Sequence, residues 1–108
     1  MKRYEIRGTS LDPSRGSEMS KTRPAVIISL DVLNQRLDTV TVCPLTSVLH
    51  PTWRSRLQIK VAGRLSEIAV DQIRTVSKTR IGTKLGSLSK AEAQALRDLI
   101  SEMYASPS

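Results

Sequence analysis

With 108 residues the chain fits one compact domain, 1–108, with a modest core, which argues against a two-domain organisation. Lysine and arginine outnumber aspartate and glutamate by 17 to 10, and the net charge of +7 favours a polyanionic partner such as nucleic acid, while the absence of Phe argues against a sheet that stacks several RNA bases. A single cysteine excludes an internal disulfide, and no segment approaches the roughly 20 apolar residues of a membrane span or has the core of a signal peptide, so we expect a cytoplasmic protein without membrane contact.

The first half of the chain has the pattern of short strands separated by turns. Residues 4–11 form the first predicted strand, which ends at the turn-forming run DPSRGS. The segment AVIIS, 25–29, is almost wholly apolar and predicts a central strand buried on both faces. Asp31 is the expected N-cap of a short helical turn. The β-branched run TVTVCPLT then predicts a strand over 39–46.

A long basic loop, SVLHPTWRSR, separates this strand from an alternating pair. Segments 57–61 and 65–70 alternate apolar and polar residues around a Gly-Arg hairpin signal, and DQIRTVSK adds a further short strand. Near the end, Ser89 and Glu92 have capping-box spacing and apolar residues recur on one helical face. The elements together predict an α+β, mainly β fold in which a sheet or barrel is followed by a C-terminal α-helix.

Most familiar catalytic sets are excluded. His50 is the only histidine, so serine and cysteine triads and paired-histidine sites lack a member. We interpret His50 as an ordinary exposed loop residue. The only argument for a catalytic role is that imidazole titrates near neutral pH. The chain has no CxxC, HExxH, P-loop or dense carboxylate cluster, so we expect no metal and no other cofactor.

Two predicted strands bring an arginine and a threonine together. The connection between 25–29 and 39–46 is shorter than the roughly dozen residues that a parallel crossover needs, so these strands should be antiparallel. Arg23, just before the first strand, then approaches Thr46 and Ser47 at the end of the second. The flanking loops should border the same cleft, and they carry Glu18, Lys21, Trp53, Arg54 and Arg56.

Such a cleft is poor in general bases but suits a substrate that carries its own nucleophile. RNA has a 2′-hydroxyl beside every scissile phosphate, so an enzyme that orients it in line needs charge stabilisation and a proton donor but no metal. Arg23 suits charge stabilisation, whereas a guanidinium stays protonated at neutral pH, which makes it a poor general base. The product would end in a 2′,3′-cyclic phosphate.

Three ordered motifs, GSEMSKTRPAVIIS, VTVCPLTS and DQIRTVSKTRIG followed by LGSLS, resemble MazF/PemK-type endoribonuclease toxins over almost the whole chain. The resemblance implies a compact SH3-like β-barrel of the CcdB/MazF-like superfamily with short helices, a homodimer, sequence-selective cleavage of single-stranded RNA (mRNA) and inhibition by a cognate antitoxin. It also implies that Arg23 and Thr46 are catalytic, that Glu18 is the acid of a GSE loop, and that Asp71 and Gln72 are an acidic-Gln pair near the RNA groove.

The first strand departs from this family pattern. Tyr4 stands where a glycine is common, and Arg7 stands where Trp or Tyr is common. These two positions leave the details of the first strand and its loop open, and they leave the proposed site unchanged.

Each assignment has a structural alternative. Thr46 and Ser47 can bond to their own turn, as such residues commonly do at a strand end. Glu18 can form a surface ion pair, and Trp53 can cover a sheet edge instead of stacking on a base. Asp71 and Gln72 can tie a strand end to a neighbouring loop, with RNA contact by Gln72 as the secondary role.

Two other functions compete with RNA cleavage. One is a non-enzymatic toxin of the same fold that binds a protein target such as gyrase, although this chain ends in EMYASPS and lacks the aromatic C-terminal end of those toxins. The other is a basic SH3-like nucleic-acid-binding module without catalysis. RNA cleavage with cyclic-phosphate products would distinguish an endoribonuclease from both of these alternatives.

Overall fold

The computed structural model describes residues 1–11, 22–105 and 107, so the predicted contact residues Glu18 and Lys21 lie outside the described residues. Within these ranges the chain forms seven β-strands and two α-helices. Their bounds are β1 Glu5–Ser10, β2 Thr22–Ile27, α1 Asp31–Arg36, β3 Thr39–Thr46, β4 Arg56–Val61, β5 Arg64–Ala69, β6 Arg74–Ser77, β7 Ile81–Ser87 and α2 Lys90–Tyr104. Short 3-10 turns occupy Val70–Gln72 and Lys78–Arg80.

The strands form one curled sheet in the order β4-β5-β3-β2-β1-β7, with β6 attached to β3. One edge of β3 changes partner along its length. Residues Thr39 to Val42 pair with β6, while Leu45 and Thr46 pair with β5. Because one strand belongs to both parts of the sheet, the sheet bends at β3 into a half-barrel. The predicted α+β, mainly β fold with a C-terminal helix is confirmed.

The strand β2 passes through the centre of the sheet and is buried on both faces, as predicted. Val26 packs into a core with Leu96 of α2, whereas Ala25 and Ile27 pack into a second core on the other face with Val42. All five side chains are fully buried. The helix α2 begins with the predicted capping box between Ser89 and Glu92.

The main differences from the prediction concern β2, α1 and β7. The strand β2 begins at Thr22 because Thr22 and Arg23 pair with β1, and it ends at Ile27. Leu30 is the N-cap of α1, while Asp31 is its first residue and accepts a hydrogen bond from the backbone nitrogen of Arg3 at 2.7 Å. The strand β7 was not predicted, since two glycines weaken its alternation and it pairs with the distant β1 through register shifts.

The two departures in the first strand have physical explanations. Tyr4 has a φ of 70°, in the left-handed region where glycine is favoured and another residue costs roughly 1–2 kcal/mol. Two hydrogen bonds hold this backbone conformation. The Tyr4 nitrogen donates to the Ile27 oxygen at 2.6 Å, and the Tyr4 oxygen accepts from the Leu88 nitrogen at 2.9 Å. Arg7 forms an ion pair with Glu5 at 3.1 Å.

Among the residues that the structure describes, no helix is long and apolar enough to cross a membrane. The longer of the two, α2, has 15 residues and packs its apolar face against the first core.

Candidate functional site

Arg23 and Thr46 lie at the same end of the β2–β3 pair. The two strands are antiparallel, as predicted, and the register that pairs Ala25 with Pro44, continued outward, places Arg23 opposite Thr46. Both residues line a cleft of about 310 Å³. The remaining lining residues are Leu11, Pro44, Leu45, Val48, His50, Arg56, Ala69, Gln72 and Arg74.

The same two residues also line a second cleft. This cleft has a volume of about 270 Å³, and its wall includes Ser47 and Arg64. Arg23 and Thr46 therefore stand between two concave surfaces. A polymer laid across this ridge would place one unit in each cleft, with the linkage between them at the guanidinium and the hydroxyl.

The hydroxyl of Thr46 has a defined orientation. Its oxygen accepts a hydrogen bond from the backbone nitrogen of Val48 at 3.1 Å, so the structural alternative for this residue is realised. A hydroxyl has two lone pairs and one proton, and the contact with Val48 uses one lone pair. No described residue accepts the proton of Thr46, so it can be donated to a ligand in the cleft.

A buried ion pair lies beneath the cleft. The Arg56 and Glu67 side chains are 6% and 0% exposed, and Nη1 of Arg56 donates to Oε2 of Glu67 at 2.7 Å. Nε of Arg56 also donates to Oδ1 of Asp71 at 2.7 Å. Arg56 lines the cleft, but two carboxylates hold its guanidinium. Its predicted RNA contact stays a prediction, and its observed contacts are structural.

Glu67 remains ionised because its neighbours outweigh the cost of burial. Burial alone would raise its pKa, but hydrogen bonds from the His50 backbone nitrogen and the Gln58 amide, both at 2.6 Å, together with Arg56, lower the pKa below its usual value. The hydrogen bond from Arg56 also lowers the pKa of Asp71. The three charges form one network that ties β4, β5 and the turn after β5 together.

The basic loop between β3 and β4 is ordered by this network. The His50 and Trp53 rings stack with centroids 3.8 Å apart and an angle of 10° between their planes. The guanidinium of Arg56 lies 4.6 Å from the centroid of the Trp53 ring, a cation–π contact. Trp53 is 47% exposed, which leaves ring surface accessible to a base. Its role as a base-stacking platform stays a prediction.

The structure thus brings together most of the predicted site residues that it describes. Arg23, Thr46 and Gln72 line the first cleft, and Ser47 lines the second. Asp71 ties the end of one strand to the next through Arg56, the structural role that the sequence allowed.

Sequence reasoning missed Glu67 and Gln58. A compositional signal was available: Glu67 and Asp71 are the only acids between Arg54 and Lys84, and both bind Arg56. Elsewhere in the described ranges, no group of three or more His, Cys, Asp or Glu residues is placed to hold a metal ion.

Comparison with known proteins identifies related sequences and folds. Residues 2–104 match the family described as PemK-like, MazF-like toxin of type II toxin-antitoxin system. The chain is 33% identical to endoribonuclease MazF9 of Mycobacterium tuberculosis over 93% of its own length and 92% of the relative's. It is 32% identical to endoribonuclease MazF of Staphylococcus saprophyticus, with coverage of 93% and 88%. A mycobacterial endoribonuclease solved in complex with its cognate antitoxin has the same fold, with a TM-score of 0.82 at 17% identity over 100% and 98% of the two chains.

The buried network generates a stability prediction. Glu67→Gln removes the charge that compensates Arg56, and loss of one partner of a buried pair is expected to lower the free energy of unfolding by about 3–5 kcal/mol. Asp38→Asn, at an exposed position, is the matched control and should change it by less than about 0.5 kcal/mol. Urea unfolding followed by circular dichroism at pH 7 measures both. Equal midpoints for the two variants would contradict the account.

The same residue predicts an acid dependence. Because the folded protein lowers the pKa of Glu67, its stabilisation is present above the ordinary value of 4.5 and is lost as the pH falls below it. Wild type should therefore lose stability below pH 4.5 more steeply than Glu67→Gln does. The measurement is the urea midpoint at stepwise lower pH, and parallel curves for the two proteins would exclude this role for Glu67.

Proposed function

The chain belongs to the PemK-like, MazF-like toxin family of type II toxin-antitoxin systems, and on that premise we propose that it is a sequence-selective endoribonuclease toxin. Its proposed substrate is single-stranded mRNA in the cytoplasm, and its proposed inhibitor is a cognate antitoxin. The observation that carries the proposal is the convergence of Arg23 and Thr46 on a ridge between two clefts. The curated relatives are named endoribonucleases, which supports the reaction class.

In the proposed reaction, the 2′-hydroxyl of the RNA attacks the adjacent phosphorus. A bond forms between O2′ and phosphorus, the bond to O5′ breaks, and the products carry a 2′,3′-cyclic phosphate and a 5′-hydroxyl. Arg23 stabilises the negative charge that develops on the phosphorane, and the free proton of Thr46 donates to one of its oxygens. Because the Arg23 guanidinium supplies the positive charge at the phosphate, we propose that the reaction needs no metal ion and no cofactor.

The neighbouring residues are proposed to hold the RNA on either side of this phosphate. Gln72 and Trp53 are the proposed contacts near the first cleft, and Ser47 is the proposed contact in the second. Glu18 and Lys21, on the segment before β2, are proposed to line the groove. Arg56 is proposed to act mainly by holding this wall in place, since its guanidinium is already paired.

The charge of the chain supports both proposed partners. A net charge of +7 attracts RNA phosphates, and it attracts an acidic antitoxin segment equally. We propose that the antitoxin occupies the RNA cleft and so blocks cleavage directly. One solved relative is described as an endoribonuclease in complex with its cognate antitoxin, and another as MazE-MazF.

An exposed apolar surface supports the proposed homodimer. Four residues in and beside α1 are 43–52% exposed, and they are Leu30, Val32, Leu33 and Leu37. A cluster of this kind on a small chain commonly marks a protein interface. We propose that a second copy covers it.

The proposed reaction is tested by incubating the purified protein with a long RNA in excess chelator. We expect cleavage at recurrent short sequences, with 2′,3′-cyclic phosphate at the upstream ends, because Arg23 and the 2′-hydroxyl replace the metal and the external nucleophile. End-group analysis by mass spectrometry measures the products. Intact RNA after prolonged incubation would contradict the proposed function, and products with 3′-hydroxyl ends would contradict the mechanism.

The two site residues should contribute unequally. Arg23→Ala should lower the cleavage rate by at least about 100-fold, the usual loss when a donor to a developing oxyanion is removed. Thr46→Ala should lower it by about tenfold, because a neutral hydrogen bond contributes about 1 kcal/mol. Lys60→Ala removes an exposed positive charge that lines neither cleft, and it serves as the matched control. The reverse order of the two losses would overturn these assignments.

The proposed dimer surface also yields a prediction. Leu33→Asp places a charge within the apolar patch of α1 and should convert a dimer into a monomer. Leu65→Asp changes a similarly exposed leucine on β5, 48% against 43%, and should leave the dimer intact. Sedimentation velocity at micromolar concentration measures the mass. A monomeric wild type, or a Leu33→Asp dimer of unchanged affinity, would show that this surface is not the interface.

A further inference from the structure

We propose that His50 is the general base that accepts the proton of the attacking 2′-hydroxyl. This inference rests on the proposed ribonuclease function and adds a residue to it. His50 lines the same cleft as Arg23 and Thr46. The sequence analysis interpreted it as an ordinary exposed loop residue, whereas the structure places it half-buried in the wall of this cleft.

His50 is the only candidate base among the described residues that line the cleft. The other polar residues that line the cleft are Arg23, Thr46, Arg56, Gln72 and Arg74. A guanidinium stays protonated in proteins, and neither a hydroxyl nor an amide accepts a proton readily at neutral pH. Among the described lining residues, His50 alone has an imidazole, the side chain that most often serves as a general base in enzymes.

The position of His50 is fixed by contacts on two sides. Its backbone nitrogen donates to Oε1 of the buried Glu67 at 2.6 Å, and its backbone oxygen accepts from the nitrogen of Trp53 at 3.0 Å. Its ring stacks on the Trp53 ring at 3.8 Å. The buried Arg56–Glu67 pair therefore orders this loop. The imidazole is held in place before RNA binds.

The same contacts leave the reactive atoms of the ring free. Stacking uses the face of the imidazole, whereas its two nitrogens lie at the edge. In the part of the chain that the structure describes, the only hydrogen bonds of His50 are made by its backbone. A ring nitrogen is thus available to a hydroxyl in the cleft.

A neutral ring nitrogen of His50 takes the proton from O2′ as the bond from O2′ to phosphorus forms. The bond from phosphorus to O5′ breaks, and O5′ takes a proton from water, while protonated His50 returns its proton to the solvent. The charged groups that line the cleft with His50 are Arg23 and Arg74, which form no ion pair with another described residue, and Arg56, which Glu67 and Asp71 neutralise.

The central test compares wild type with His50→Ala and His50→Gln on an RNA that wild type cleaves. We expect each variant to lose about 100-fold or more in kcat with little change in KM, the usual contribution of a general base. Wild-type kcat/KM should fall toward acid pH as the base becomes protonated, and both variants should lack this limb. Added imidazole should restore part of the activity of His50→Ala, because it supplies the missing base from solution.

One further substrate and one further variant identify the role of His50. An RNA with sulfur in place of O5′ has a leaving group that needs no proton, so it should stay slow with His50→Ala if His50 is the base. Restored cleavage of this substrate would make His50 an acid and overturn the proposal. Glu18→Gln should retain the acid limb, and loss of that limb in Glu18→Gln instead of His50→Gln would assign the base to Glu18.

The outcomes separate this inference from the function on which it rests. A wild-type protein that cleaves no RNA contradicts the proposed function itself. A wild type that cleaves RNA and a His50→Ala variant that cleaves it equally well contradict only the role of His50. Loss of activity in His50→Ala, with an unchanged pH profile and no effect of imidazole, would make His50 a positioning residue and would also overturn the proposal.

Discussion

A single buried carboxylate determines how the candidate site is arranged. Glu67 lies opposite Thr46 in the β3–β5 register, and its side chain has no solvent exposure, so its charge must be met by hydrogen bonds within the protein. Those bonds come from the loop backbone at His50 and from Arg56 and Gln58 on β4. One charge therefore couples the central sheet to the loop that borders the cleft, and a shift of the loop would remove one of the three hydrogen bonds to this buried charge.

The guanidinium groups around the cleft consequently have different roles. Arg56 is neutralised by two acids and is 6% exposed, which makes it part of the scaffold. Arg23 is exposed and forms no ion pair within the described ranges, and Arg74 uses one nitrogen to donate to the backbone oxygen of Leu11. Positive charge thus remains available at the ridge between the two clefts, beside a threonine hydroxyl whose proton is free. A phosphate is the group that such a pair recognises best.

The parts of this arrangement that follow from local rules could be predicted from the sequence. The β-branched run that became β3 and its short connection to β2 were enough to place Arg23 beside Thr46. Contacts between distant segments could not be predicted. The partner of Arg56 depends on how β4 and β5 pair. The sequence of β7 carries little strand signal, and this strand forms because the edge of β1 is available for pairing. The position of His50 in the cleft could not be predicted either, because it depends on contacts with Glu67 and with the Trp53 ring.

The central claim is that the scissile phosphate of RNA binds at Arg23 and Thr46. The most direct measurement is a crystal structure of the protein with a cleavable RNA sequence in which the attacking 2′-hydroxyl is replaced by hydrogen. The account predicts a phosphate within hydrogen-bond distance, about 2.7–3.2 Å, of both the Arg23 guanidinium and the Thr46 hydroxyl, with one nucleotide in each cleft. A bound RNA whose backbone avoids this ridge would contradict the account.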